Sequence, residues 1–327
     1  MKAVRIHEDG GPEVLRYEDV EDPRPGAGEV LIRLHAASLN HLDCWVRQGL
    51  PSVPKPRILG ADGAGVVAGV GAGADSFSEG DRVVINPGLD DGARIVGEHT
   101  DGTHAELVAV PVENVYPIPG GLSFEEAAAF PLVFETAYRM LVTKARVAEG
   151  EWVLLWGIGS GVASAAFVLA KALGARTIVT SSSSEKLERA RDLGADAAVN
   201  HSDDDVGAVV KEATGGRGAD IVVEHVGEAT WKTSLQAAGP NARIVVCGAT
   251  SGPNPPAQLH RIWWKQLTVF GSTMGTREDF EGAYELIASG AAKPIVDRTF
   301  PLAEAAAAHE YLEGGRQFGK VVLEIPG

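Results

Sequence analysis

Apolar and polar positions follow two rhythms along this chain. Up to about residue 120, short apolar or β-branched runs at Glu29–Leu34, Gly65–Val70, Arg82–Ile85 and Ala105–Val110 are separated by clusters of Gly and Pro. Such runs between turn-formers predict strands, so the first part reads as β-rich and barrel-like. Ser123, with Glu126 three residues on, predicts a capped alanine-rich helix, and Pro131 precedes a second helical stretch from about Leu132 to Lys144. From Glu151 onward, apolar runs at Val153–Leu155, Thr177–Val179, Ala197–Val199, Ile221–Val223, Arg243–Cys247 and Leu267–Phe270 alternate with helical patterns. That alternation predicts an α/β domain built on a parallel sheet with right-handed crossovers. The tail predicts a helix near Tyr284–Ala288, another over Ala303–Leu312 and a closing strand at Val321–Glu324 that rejoins the first domain. The expected organisation is therefore a β-rich domain of residues 1–121 and 273–327 around an α/β domain of residues 122–272. No internal repeat is present.

The run Trp156-Gly157-Ile158-Gly159-Ser160-Gly161-Val162-Ala163 lies between the apolar stretch Trp152–Leu155 and the alanine-rich stretch Ala163–Leu173. Strand, glycine turn and helix in that order form a dinucleotide site: glycines let backbone amides approach a pyrophosphate, whose charge faces a helix N-terminus. Gly159, Ser160, Gly161 and Val162 are the candidate contacts. Ala163 stands where the last glycine of the fingerprint would fall, a helix-packing position that tolerates alanine. Thr177–Thr180 supplies the second strand of the βαβ unit.

Composition narrows the classes. With 29 Lys and Arg against 44 Asp and Glu, the net charge of −15 argues against a nucleic-acid surface. Cys44 and Cys247 are far apart and support neither a disulfide framework nor a cysteine-rich zinc module, which fits a reducing cytoplasm. Met1–Ile6 begins directly in strand-like sequence without the charged and apolar regions of a signal peptide. No segment approaches the roughly 18 apolar residues of a membrane helix.

An NAD site usually carries Asp or Glu at the end of the second strand, on the ribose 2′-hydroxyl. Here that place reads Thr180-Ser181-Ser182-Ser183-Ser184-Glu185-Lys186. Ser181 and Ser182 with Lys186 suit a 2′-phosphate, whereas a carboxylate at Ser181 would repel it. NADPH is therefore expected ahead of NADH. The plainer alternative is a serine-rich turn with a solvated Lys186, its charge partly offset by Glu185.

The chain carries Gly11-Pro12-Glu13-Val14-Leu15, Leu39-Asn40-His41-Leu42-Asp43, Gly60-Ala61-Asp62-Gly63-Ala64-Gly65-Val66-Val67, Gly80-Asp81-Arg82-Val83, Thr136-Ala137-Tyr138, Gly218-Ala219-Asp220 and Phe318-Gly319-Lys320-Val321-Val322 in that order. Through these segments it resembles, over essentially its whole length, the medium-chain dehydrogenase/reductase superfamily. The resemblance implies a Rossmann doubly wound sheet beside a β-rich GroES-like domain, with the active site in the cleft between them. In the zinc-containing alcohol dehydrogenases of the superfamily, Cys, His and a second Cys or His hold the catalytic metal. The positions that match are Asn40, Ala61 followed by Asp62, and Leu132, and the four-cysteine structural zinc lobe is missing as well. No zinc is expected, and the resemblance points to the quinone and enone reductases that work without it.

Hydride transfer from the cofactor to a quinone or conjugated carbonyl needs only donors that stabilise the developing oxyanion. By motif position Asn40 either donates to the substrate oxygen or satisfies local backbone in a turn. His41 and Asp43 resemble residues that lie beside the cofactor and brace the site. Trp45 falls where quinone reductases often carry tyrosine and suggests a flatter, apolar wall. His41, Asp43, Asp62, His99 and His104 do not have a specific metal-ligand spacing; His104 reads as a packing or surface residue. Thr136 is placed near the nicotinamide; Val226, Gly248 and Ala249 end strands at the crevice; Phe318 and Lys320 match a closing motif that reaches the cofactor. The pair Trp263-Trp264, between Arg261 and Lys265, either stacks on a planar substrate or shapes a subunit interface, and the edge strand that follows favours a homodimer or higher homo-oligomer. The rival activities are an alcohol dehydrogenase or carbonyl reductase, including an enoyl-thioester reductase, and a catalytically silent NADPH-binding protein.

Overall fold

The computed structural model describes residues 1–326. Its chain divides into two compact units, residues 1–132 with 294–327 and residues 133–293.

In the first unit a long strand, Glu29–Ser38, organises a seven-stranded sheet. Asp62–Val70 pairs along it antiparallel, Leu107–Pro111 takes its first half and Lys320–Glu324 its last. This strand therefore has different partners at its two ends. The sheet's interior is aliphatic: Val30, Ile32, Leu34, Val83, Ile85, Val321 and Leu323 are fully buried. Each such side chain contributes about 1.5–3 kcal/mol on burial. Ala105, expected to open a strand, instead makes an isolated bridge to Ala3.

In the second unit six parallel strands begin, in sheet order, at residues 197, 176, 152, 219, 238 and 268. This is the 3-2-1-4-5-6 order of a Rossmann sheet. Trp152–Leu155 is buried at all four positions, as a strand covered on both faces must be. The helix Gly161–Ala172 lays alanines 163, 165, 166 and 170 in the interior. The six runs read from the sequence all form strands here, with shifted ends; Leu267–Phe270 is realised as Thr268–Gly271.

Two local readings change. Pro131 starts the helix Pro131–Tyr138 rather than preceding it, since its missing N–H costs nothing in a first turn. The continuation Arg139–Lys144 widens into a π-helical segment, with Ala145 N bonding Met140 O. The Ser123 capping box forms as read, Ser123 Oγ accepting from Glu126 N at 3.2 Å.

The Arg47 guanidinium sits wholly inside the first unit. Arg47 is 0% exposed and donates to Gly10 O at 3.1 Å and to Glu313 Oε1 at 2.6 Å; its Nη1 lies 3.1 Å from His309 Nδ1. Burial holds His309 well below the usual imidazole range, so its neutral Nδ1 accepts from the guanidinium. Arg47 thus ties the segment near Gly10 and the helix His41–Arg47 to the helix Ala305–Glu313.

Candidate active site

Asn40 follows the end of the strand Glu29–Ser38 and stands at the N-terminus of the helix His41–Arg47. Its backbone N–H donates to Asp43 Oδ2 at 2.7 Å, and Gly60 N donates to Asp43 Oδ1 at 3.0 Å. Burial pushes the Asp43 carboxyl up to about 7, against the pull of the Asn40 and Gly60 amides and of the Lys320 charge. Asp43 therefore holds the backbone at both Asn40 and Gly60.

The Asn40 side chain looks inward. Its Nδ2 donates to Asp62 Oδ2 at 2.9 Å, and its Oδ1 accepts from Lys320 Nζ at 2.6 Å. Asp62 Oδ2 also accepts from Ser38 Oγ at 3.1 Å and from Lys320 Nζ at 3.0 Å, while Oδ1 accepts from Leu132 N at 2.9 Å. Asp62 and Lys320 are 0% and 3% exposed. The three positions that resemble metal-ligand positions thus do converge, but on a carboxylate and a buried ammonium. Placed by resemblance with the cofactor, Lys320 is turned into the first unit here, and Phe318 is buried in the same unit. The Asn40 amide is thus engaged by Lys320 and Asp62 while the residue also forms the capping box of the helix that it opens.

His41 opens the helix half-buried, with the Trp45 ring 6.3 Å away between centroids; Trp45 is 37% exposed. His104 lies in the interior, where burial and the Lys320 charge lower its imidazole to about 3, so it is a neutral packing residue. Its ring fills the space beside Gly60, where an added Cβ would approach His104 Cδ2 to 2.4 Å. His99 lies apart, its Nδ1 accepting from Ile95 N. Among the described residues, no group of three or more His, Cys, Asp or Glu is arranged to hold a metal ion.

The second unit carries the dinucleotide candidates. In the 3-2-1-4-5-6 order the crevice lies outside the carboxyl ends of the strands Trp152–Leu155 and Ala219–Glu224. Gly157 turns there at φ +59°, and Ser160 caps the helix that begins Gly161-Val162, its Oγ accepting from Ala163 N at 3.2 Å. At the end of the next strand Ser181 is buried with its Oγ accepting from Ser183 N at 3.0 Å; Ser182 is exposed, and Ser183 caps the helix containing Lys186. Val226 N donates to Glu224 Oε1 at 2.8 Å, Gly248 packs against His225, and Ala249 follows it. Thr136 is buried within its helix. Lys265 does not flank the tryptophans as a free base: its Nζ donates to Leu235, Gln236 and Ala238 carbonyls.

Sequence reasoning passed over Thr180, His201, Glu224 and His225, which gather around the glycine turn. The signal was available, because each falls at or just past the carboxyl end of a strand read from the sequence.

Residues 26–120 match the alcohol dehydrogenase GroES-like domain family, and residues 161–289 match the zinc-binding dehydrogenase family. Quinone oxidoreductase of Pseudomonas aeruginosa is 35% identical over 332 residues, covering 98% of this chain and 99% of the relative. The chain belongs to the quinone oxidoreductase-like branch of the medium-chain dehydrogenase/reductase superfamily. A 2-haloacrylate reductase of a Burkholderia species is 32% identical, covering 99% of the chain and 98% of the relative. A crystal structure described as an NAD-dependent alcohol dehydrogenase superposes with a TM-score of 0.96 at 45% identity, each chain covered completely. This medium-chain dehydrogenase/reductase is accordingly an oxidoreductase of a family that binds NAD(P)H. No described helix is long and apolar enough to cross a membrane.

The buried Asp43 carboxyl yields a prediction. Between its ordinary value of 3.8 and about 7, the folded state keeps a proton that the unfolded chain has released, so this group's contribution to stability falls as pH rises. In denaturant melts at about pH 5 and about pH 7.5, Asp43→Asn should flatten that fall, which runs at up to ~1.4 kcal/mol per pH unit. Identical pH slopes for the two proteins would mean that Asp43 is already ionised when folded.

Proposed function

We propose that this protein is a zinc-independent, NADPH-dependent reductase of quinones or α,β-unsaturated carbonyls. The observation that carries the reading is the closed Asn40, Asp62 and Lys320 network at the three converging positions. Zinc, which the family names bring with them, needs about three N, S or O protein ligands and an open position. Asn40 offers an amide, Ala61 a methyl group and Leu132 an aliphatic side chain, and the Asp62 carboxylate already accepts from four donors. These residues do not fit the metal.

The second unit fits a dinucleotide. The glycine turn and the helix beginning at Gly161 would hold the pyrophosphate, and the Ser181–Ser184 turn with Lys186 would take the adenosine 2′-phosphate. When bound, the nicotinamide supplies a hydride. For the chain's own residues, the task is to orient the acceptor and to stabilise its oxygen as charge develops. Asn40 retains one amide hydrogen beyond the one it gives Asp62. The Lys320 ammonium polarises that amide through Oδ1, and burial strengthens the effect. Trp45 provides an apolar wall. The relatives named for quinone and haloacrylate reduction support an electron-poor acceptor.

A second reading, alcohol dehydrogenase or carbonyl reductase, is favoured by the similar NAD-dependent alcohol dehydrogenase structure. Assembly is proposed as a homodimer in a cytoplasmic setting. Its support is the apolar edge formed by Leu259, Trp263, Trp264 and Val269, which are 69%, 64%, 76% and 42% exposed.

The activity test assays untagged protein with both cofactors against quinones, enones, enoyl thioesters and alcohols, before and after exhaustive chelation. Reduction of a quinone or enone should survive chelation. A tightly retained zinc with chelator-sensitive, reversible alcohol oxidation would sink the reading, and tight cofactor binding without turnover on any acceptor would leave a silent binding protein. Ser181→Asp keeps an acceptor for Ser183 N–H but places negative charge at the proposed phosphate; the NADPH/NADH ratio of kcat/KM should fall about tenfold, ~1.4 kcal/mol. An unchanged ratio would displace the phosphate from this turn. Sedimentation should give twice the chain mass of 34.2 kDa, and a species of single mass would remove the dimer.

A further inference from the structure

The peptide joining Trp156 to Gly157 opens the glycine turn just beyond the point where the parallel ladders stop at Leu155. Both of its polar groups are claimed by side chains. The Trp156 carbonyl accepts from His225 Nε2 at 2.9 Å, and Gly157 N donates to Thr180 Oγ1 at 3.0 Å. A carbonyl can only accept, so His225 carries a hydrogen on Nε2. That N–H also lies 3.3 Å from the oxygen of Ser160, the cap of the following helix. Thr180, having accepted from Gly157, has its own hydroxyl hydrogen for His201 Nδ1 at 3.2 Å.

The residues behind this clasp are held firmly. Glu224, 0% exposed, accepts from Val226 N at 2.8 Å, Gly227 N at 3.0 Å, Thr230 Oγ1 at 2.8 Å and Ser234 Oγ at 2.6 Å. Ser234 Oγ in turn accepts from the Trp156 indole Nε1 at 2.8 Å. One buried carboxylate therefore fixes the backbone just past His225 and, through Ser234, the side chain of the residue whose carbonyl His225 grips.

We propose that His225 is a positioning residue for the cofactor's pyrophosphate, acting with Thr180 to hold the Trp156–Gly157 peptide in a single orientation. That orientation sets where the amides of Gly159, Gly161 and Val162 stand at a helix N-terminus whose first N–H groups have no intrahelical partner. The proposal rests on the reading that this chain binds a nicotinamide dinucleotide. His225 itself need not touch the ligand.

The test measures dissociation constants of the full chain for NADPH, ADP and AMP, with thermal melts to confirm folding. His225→Leu should weaken NADPH and ADP, which carry a pyrophosphate, by about tenfold while leaving AMP within about twofold. His225→Gln should restore binding to within about threefold, because the Gln amide can place a donor where Nε2 stood. Unchanged NADPH and ADP affinity in His225→Leu overturns the proposal; so does equal loss in the Gln variant, which would assign a direct imidazole contact, or equal loss of AMP. If His225→Leu does not fold, Thr180→Val opens the other side of the clasp and must show the same pyrophosphate-selective loss, with Thr180→Ser retaining affinity. A wild-type protein that binds neither NADPH nor NADH overturns the functional reading as well, before any variant is compared.

Discussion

A buried ammonium facing a buried carboxylate constrains much of the first unit. Removing both ions from water costs several kcal/mol each, and their attraction offsets this only when geometry is good and the remaining hydrogen-bonding capacity is used. Asp62 meets that condition with Ser38, Asn40, Lys320 and Leu132 N as donors. Two of the donors come from adjoining strands: Asp62 lies opposite Ser38 in one ladder, and Ser38 lies opposite Val322 in the next. Lys320, two residues before Val322, is thereby delivered to Asn40. The network adds little net stability, yet loss of either charged partner would leave the other buried alone, typically a loss of about 3–5 kcal/mol.

Both units place their candidate chemistry where a ladder ends. Backbone groups past the last rung still need partners when buried, and side chains supply them. In the first unit Asp43 takes the N–H groups of Asn40 and Gly60. In the second, His225 and Thr180 take the two polar groups of the Trp156–Gly157 peptide. Such turns are held by side chains without being absorbed into the sheet.

Much of the fold was legible in advance. Runs such as Val153–Leu155 and Ile221–Val223 are apolar throughout because parallel strands are covered on both faces, and that local signal survives without tertiary context. The Ser123 and Glu126 box was equally readable, since capping is settled within one turn. Element ends were not: Arg243–Cys247 overlaps the second half of the longer strand Ala238–Val246 and overruns its end by one residue, while the strand's start is set by pairing with Ala219.

By itself the sequence established the two kinds of domain, the order of the parallel strands' runs, the glycine turn and the lack of thiolate or imidazole at Asn40, Ala61 and Leu132. Each of these is a matter of local pattern or residue chemistry. Only the tertiary structure decided that Lys320 turns inward across 280 positions to Asn40, that Asp43 is buried enough to titrate near neutrality, and that His225 grips a carbonyl 69 positions away. Those outcomes depend on which strand ends become neighbours and on how completely water is removed between them, and neither property resides in any short stretch of chain.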